Sequence, residues 1–229
     1  MNNLEFFIKN KDWDNILKKY SQKRLAKDLS FIEGLILSRR LLEDENWDDN
    51  LQTFAIELIK SIKEVYQKEW DTDWRYDAYL GYAYDLRGWD YEEKFDAYKK
   101  AANKSVTPDP EVLMRLAMIW SYPGVYKSKI DEKQAIELLE NAMKKKPYVE
   151  GVSCLIDLYN EIGKMQEKHY WEKVLEESKK KKLRAPYAFL NFFEEYGWLG
   201  TGFSPNYNYS ICKKSSIASS VFWLIVERE

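Results

Sequence analysis

Apolar positions along this chain recur at helical rather than strand spacing. Over residues 23–42 they are Leu25, Leu29, Ile32, Leu35, Ile36 and Leu42, which predicts a helix. The acidic stretch 43–50 interrupts the pattern. A second long helix is then predicted over about 48–69, with Leu51, Phe54, Ile56, Leu58, Ile59, Ile62 and Val65 on its apolar face. These two read as an antiparallel pair. Ahead of them, residues 4–20 read as two short helices broken near Asn10. No proline occurs before Pro108, which favours long helices in the first half.

Further on, one skeleton appears three times. Leu80, Tyr84 and Gly88 are spaced like Leu116, Trp120 and Gly124, and like Leu155, Tyr159 and Gly163. The offsets are 36 and 39 residues, a period that points to stacked helical hairpins. In the first unit Asp77, Leu80, Gly81 and Tyr84 form one helical stripe. Gly81 and Ala83 are small enough to admit a close partner helix, and Gly88 suits a left-handed terminator. Tyr91, Phe95, Tyr98 and Ala102 line the second helix. The second unit follows Pro108 and Pro110, with Asp131 as an N-cap before Ala135, Leu138, Leu139 and Ala142. The third carries Val152, Leu155, Ile156 and Tyr159, then Trp171, Val174, Leu175 and Ser178. A further helix is expected over 185–196 and a short capping helix over 215–229, separated by a Gly-rich aromatic loop.

These residues resemble the SEL-like repeat, a relative of the tetratricopeptide repeat with a Gly-marked loop between its helices. The clearest likeness is Leu116, Ala117, Trp120, Gly124, Val125, Ile130, Asp131, Lys133, Ala135 and Ala142. The stretch with Leu80, Gly81, Tyr84, Gly88, Tyr98, Lys100, Ala101 and Ala102 follows the same plan. The third unit departs from it, with Ile156 in place of a small residue and Trp171 and Ser178 in place of alanine. The resemblance implies an all-α fold, an α-solenoid of about 11 or 12 helices paired as antiparallel hairpins, with an atypical C-terminal cap. Residues 1–73 would be diverged hairpins, 74–180 the repeats, and 181–229 the cap, loop and tail of one continuous domain. Proteins similar in this way are scaffolds, adaptors and binders of peptides or proteins, and the repeat carries no catalytic signature.

Charge sharpens that expectation. The net charge of the 229-residue chain is only −2, but residues 41–96 hold 16 acidic and 6 basic side chains. An acidic middle between basic ends is a candidate docking surface for a basic partner. Five tryptophans in the first 90 residues stand beside aspartate. The candidate partner-binding residues are therefore Trp47, Asp48, Asp49, Trp70, Asp71, Asp73, Trp74, Asp77, Trp89 and Asp90, read as aromatic anchors with adjacent negative charge. The alternative is that each tryptophan packs at a hairpin end while its aspartate caps a helix.

Candidate chemistry is sparse. The single histidine, His169, lacks the partners of a triad. Asp71, Asp73 and Asp77 cluster, but without the register of a calcium loop, and serve more simply as helix caps. No phosphate loop, nucleophile elbow or dinucleotide fingerprint is present. No cofactor or metal is expected. Cys154 reads as a small buried hydrophobe, and two cysteines make no disulfide framework. The basic run at 179–184 coincides with a helix end, and nucleic-acid binding is not expected. No membrane-spanning run or secretory leader is read, so a cytoplasmic location is expected.

The functional expectation is a non-catalytic binder of another protein, with no small-molecule substrate. The sharper form is an immunity protein that neutralises a basic toxin domain, as in contact-dependent growth inhibition. Its Lys-, Asn- and Ile-rich composition with degenerate repeats resembles such bacterial proteins. A peptide-binding regulator and an enzyme using Glu194, Glu195 and Tyr207 near the C-terminal loop are the rival readings.

Overall fold

The computed structural model describes residues 3–46, 48–88, 90–121 and 129–195. Every regular element among them is helical. The chain divides into two compact units, Met1–Asn191 and Phe192–Glu229.

The first unit opens with α1 (Asn3–Lys9) and α2 (Trp13–Lys19), so the break near Asn10 is as the sequence predicts. Residues 23–42 do not form one helix. They divide into α3 (Gln22–Asp28) and α4 (Phe31–Leu42). The cause is local: the Ser30 side chain accepts from the Glu33 N–H at 3.4 Å, and the Glu33 carboxylate accepts from the Ser30 N–H at 2.9 Å. This reciprocal capping box starts a new helix inside an apolar stripe that periodicity alone reads as continuous.

The long helix α5 (Asp49–Val65) begins at its Asp48 cap and stops at Tyr66, short of the expected end; a single turn, α6 (Gln67–Trp70), follows. The Tyr66 hydroxyl donates to the Leu29 carbonyl at 2.6 Å, tying this break to the one between α3 and α4. Leu35, Leu41, Ala55, Leu58, Ile59 and Ile62 are fully buried between α4 and α5 and their neighbours. Each large aliphatic side chain in such a core contributes about 1.5–3 kcal/mol of transfer free energy.

Then come α7 (Trp74–Arg87) and α8 (Tyr91–Lys104), α9 (Pro110–Met118) and α10 (Glu132–Lys145), and α11 (Val149–Glu161) and α12 (Met165–Lys180). Asp109 caps α9, with Pro110 in its first turn; Asp131 and Gln134 form a capping box at α10. From α7 onward the helices pack chiefly in the pairs α7–α8, α9–α10 and α11–α12, with lighter contact between successive pairs, while α5 packs on α3, α4 and α7. Gly88 has φ of 85° and ends α7. Gly81 has a different task. A Cβ there would lie 2.7 Å from the Tyr98 ring, so its absence lets α8 close onto α7.

The expected helix over 185–196 is formed only in part, as a 3-10 turn and one α-helical turn over 188–195. Residues 183–187 are non-helical and lead into a 3-10 turn, Ala188–Asn191. Pro186 disfavours helical geometry in the residue before it, and Tyr187 has φ of 54°. In the second unit the described residues are one helical turn, α13 (Phe192–Glu195), whose two phenylalanine rings stack with centroids 4.2 Å apart. The expected aromatic loop and the capping helix over 215–229 lie outside the described residues, as does most of the loop after Trp120.

Candidate partner-docking face

The ten sequence candidates separate into interior, capping and surface positions. Trp70 and Asp77 are interior, each 0% exposed. The Trp70 indole packs against Phe31 and Tyr76, with centroids at 6.5 and 5.8 Å. Its Nε1 donates to Asp77 Oδ1 at 2.9 Å. Lys63 reaches the same oxygen at 2.6 Å, and Lys104 reaches Oδ2 at 2.6 Å. Lys104 also contacts the Trp70 carbonyl at 3.2 Å and Asp71 at 3.0 Å. Burial opposes ionisation of Asp77, but hydrogen bonds from Lys104, Lys63 and Trp70 outweigh it and hold the carboxyl below its usual range. These two residues are therefore a buried clasp joining α5, α6, α7 and α8, and are not surface anchors. The turn that looked exposed in sequence is roofed by Phe31 and Tyr76.

Asp48 and Asp73 serve as helix caps, accepting from the Leu51 N–H at 2.7 Å and the Arg75 N–H at 2.9 Å. Asp73 also pairs with Arg75 at 2.7 Å. Asp90 precedes α8 and pairs with Arg87. Trp74 is partly exposed on the first turn of α7, and Asp49 and Asp71 are exposed. Trp47 and Trp89 lie outside the described residues. Asp71 and Asp77 share the Lys104 ammonium, whereas Asp73 pairs with Arg75, so the three carboxylates do not form one cluster. His169 is exposed and pairs with Glu172 at 3.1 Å.

What the sequence reading missed is how unevenly the acidic and basic side chains are placed. Ten of the 16 acidic side chains in residues 41–96 are exposed, including Asp49, Glu57, Glu64, Glu92, Glu93 and Asp96. Of the 6 basic ones only Lys68 is exposed to the same degree. Four of the others are drawn inward, Lys63 to Asp77, Arg75 to Asp73, Arg87 to Asp90 and Lys94 to Asp85, while Lys60 pairs at the surface with Glu57. Helical spacing already carried the signal, because Asp49, Glu57 and Glu64 fall on one stripe of α5, opposite its apolar face.

The acidic side chains of α5 and α8 form one neighbourhood. The Tyr84 hydroxyl feels charges from both and is raised well above its ordinary pKa. Burial is the largest cause, followed by the charges of Glu93, Asp90 and Glu57. The result is a negative face over α5, the end of α7 and the start of α8. Such a face attracts cationic groups and speeds encounter with a basic surface.

Among the described residues no group of His, Cys, Asp and Glu is arranged to hold a metal ion, and no helix is long and apolar enough to cross a membrane. Compared with protein-family models, curated proteins and solved structures, the chain matches none.

Proposed function

We propose that this chain is a non-catalytic, protein-binding α-solenoid of antiparallel helical hairpins, and that it acts in the cytoplasm as an immunity protein against a basic toxin domain. The sequential packing of α7 to α12 supports the solenoid reading. The observation that carries the binding reading is the charge segregation over residues 41–96, where ten exposed acidic side chains face solvent and most basic ones turn inward. A basic protein meeting this face would gain long-range attraction and, on docking, charge-assisted hydrogen bonds. Acidic side chains would occupy the positions that phosphates take on a toxin that acts on nucleic acid.

The test is co-expression of this chain with any candidate toxic domain encoded beside it, scored as growth, with pull-down of that domain at low and at high salt. Rescue of growth with salt-weakened capture is the expected result. Absence of both rescue and capture would end the toxin reading.

A further inference from the structure

Past α12 the chain turns back at residues 181–183, with Lys182 at φ of 53°. The segment that follows lies across α7, α9 and α11. The Tyr187 and Ala188 N–H groups donate to the two carboxylate oxygens of Glu111, at 2.8 and 3.1 Å. The Ala185 N–H donates to Glu150 at 3.2 Å, and the Val149 N–H donates to the Leu183 carbonyl at 2.8 Å. The Tyr187 ring meets Tyr82 edge-on at 4.7 Å, with the Arg115 guanidinium 3.8 Å from its centroid. Phe189 is 3% exposed and packs against Tyr98 at 6.4 Å.

The receiving side chains are held in place without help from this segment. Tyr82 donates to Glu43 at 2.8 Å. Tyr98 donates to Asp85. Glu111 is 0% exposed and pairs with Arg115 one turn away at 3.2 Å. The wall is thus pre-organised by the helices. The Glu111 carboxylate takes two successive main-chain N–H groups, as a peptide entering a helical turn offers, and the rings of the wall select aromatic side chains two residues apart.

The fit of the segment is also incomplete. Tyr187 occupies the left-handed region at φ of 54°, which bulky side chains rarely adopt. Arg115 Nε is buried with no hydrogen-bond partner among the described residues. A segment of the same pattern with an acceptor near that nitrogen would satisfy the wall better.

We propose that this face of α7, α9 and α11 is a recognition site for a Tyr-x-Phe segment of a partner protein that enters a helical turn at its tyrosine, and that residues 183–190 are its resident, self-supplied occupant. The short turn from α12 supplies that occupant at an effective concentration of about millimolar, so a competing segment must overcome the tether. The site is separate from the acidic face and does not rest on the toxin reading.

The test uses the full chain and a labelled synthetic peptide, Leu-Arg-Ala-Pro-Tyr-Ala-Phe-Leu-Asn, which copies residues 183–191. Replacing both resident rings, Tyr187→Ala with Phe189→Ala, should open the site. Fluorescence anisotropy should then show peptide binding about ten-fold or more tighter than to the unaltered chain. Adding Glu111→Gln should weaken it about ten-fold, and a peptide with alanine at both ring positions should not bind. A helical, cooperatively folding double variant that takes up no peptide, or binds no better than the unaltered chain, overturns the proposal. If the double variant does not fold, hydrogen exchange on the unaltered chain decides. Millimolar peptide should speed exchange of the Tyr187 and Ala188 amides, and unchanged exchange overturns the proposal. A concentration-dependent dimer that exchanges residues 183–191 between copies would assign the site to a second copy and also overturn it.

Discussion

The Trp70 indole nitrogen donates to Asp77 Oδ1 across 2.9 Å, and neither side chain reaches solvent. Around this pair Lys63 and Lys104 supply two positive charges to one carboxylate. Removing one partner of a buried ionic group costs about 3–5 kcal/mol when the remainder stays dry. Here both lysine side chains keep roughly a quarter of their exposure and can hydrate. Asp77→Ala should therefore cost about 2–3 kcal/mol in urea unfolding, less than the dry case. Trp70→Phe keeps the apolar bulk and loses one hydrogen bond, so a loss nearer 1 kcal/mol is expected.

The same carboxylate sets a pH dependence. Its pKa is lower folded than unfolded, so the unfolded chain takes up the proton first as acid is added. The stability it contributes is fully present above the unfolded value, near pH 4, and is lost as pH falls through the folded value. The gap in unfolding free energy between the unaltered chain and Asp77→Asn should be constant above about pH 5 and shrink as pH falls below about pH 4. A gap that stays constant as the pH falls would show that folding does not lower the pKa of this carboxyl.

Two glycines of the same hairpin should fail in different ways. At Gly81 an added methyl would press on the Tyr98 ring, which is fixed by Asp85 and by Phe189. Gly81→Ala should cost about 1–3 kcal/mol, as overpacked cores do. At Gly88 there is open space around the site, and only the backbone at φ of 85° objects. Gly88→Ala should cost about 1–2 kcal/mol. The discriminating measurement is Tyr98→Leu in each background: relief of the Gly81→Ala penalty is expected, with none for Gly88→Ala.

The sequence was legible where a signal was local and repeated. The Leu80–Tyr84–Gly88 skeleton marks α7 and its end, and Gly81 marks the close approach of α8. It was less legible where one side chain competes with a period. Ser30 and Glu33 split an apolar stripe that looks like a single helix, and Pro186 with Tyr187 delays the start of an expected helix and makes its first turn 3-10. The candidate site shows the same limit. A tryptophan beside an aspartate near a turn looks like a surface anchor, yet Trp70 and Asp77 face each other because Phe31, from far earlier in the chain, covers them. The acidic middle was visible as net charge. Its exposure was not, because that depends on which lysines and arginines fold inward.

Cys154 should be chemically silent in the folded protein. It is 8% exposed, and burial pushes its thiol up to about 12, with Asp157 and Glu161 adding to the shift. Thiolate is then scarce at pH 8, and reagent access is blocked as well. In a Cys212→Ser background, reaction with a disulfide reagent should proceed only at the rate of unfolding and should accelerate in urea. Fast labelling without urea would show that the α11 core opens locally.

Reversing charge on the acidic face should separate recognition from stability. Glu57 is exposed and pairs only with the neighbouring Lys60 at 2.8 Å, a surface contact worth at most about 1 kcal/mol. Glu57→Lys with Glu93→Lys should therefore shift unfolding free energy by roughly 0.5 kcal/mol or less. The same pair of changes moves the local charge by +4, because each replaces −1 with +1. A basic partner steered to this face should associate about ten-fold more slowly at low salt. The difference should fade as salt rises toward about 1 M, where the screening length falls to about 3 Å. Exposed acids on other helices give the control, Glu137→Lys with Glu176→Lys on α10 and α12. If the control slows association as much as the Glu57 and Glu93 reversal, the attraction belongs to overall charge and the docking face lies elsewhere.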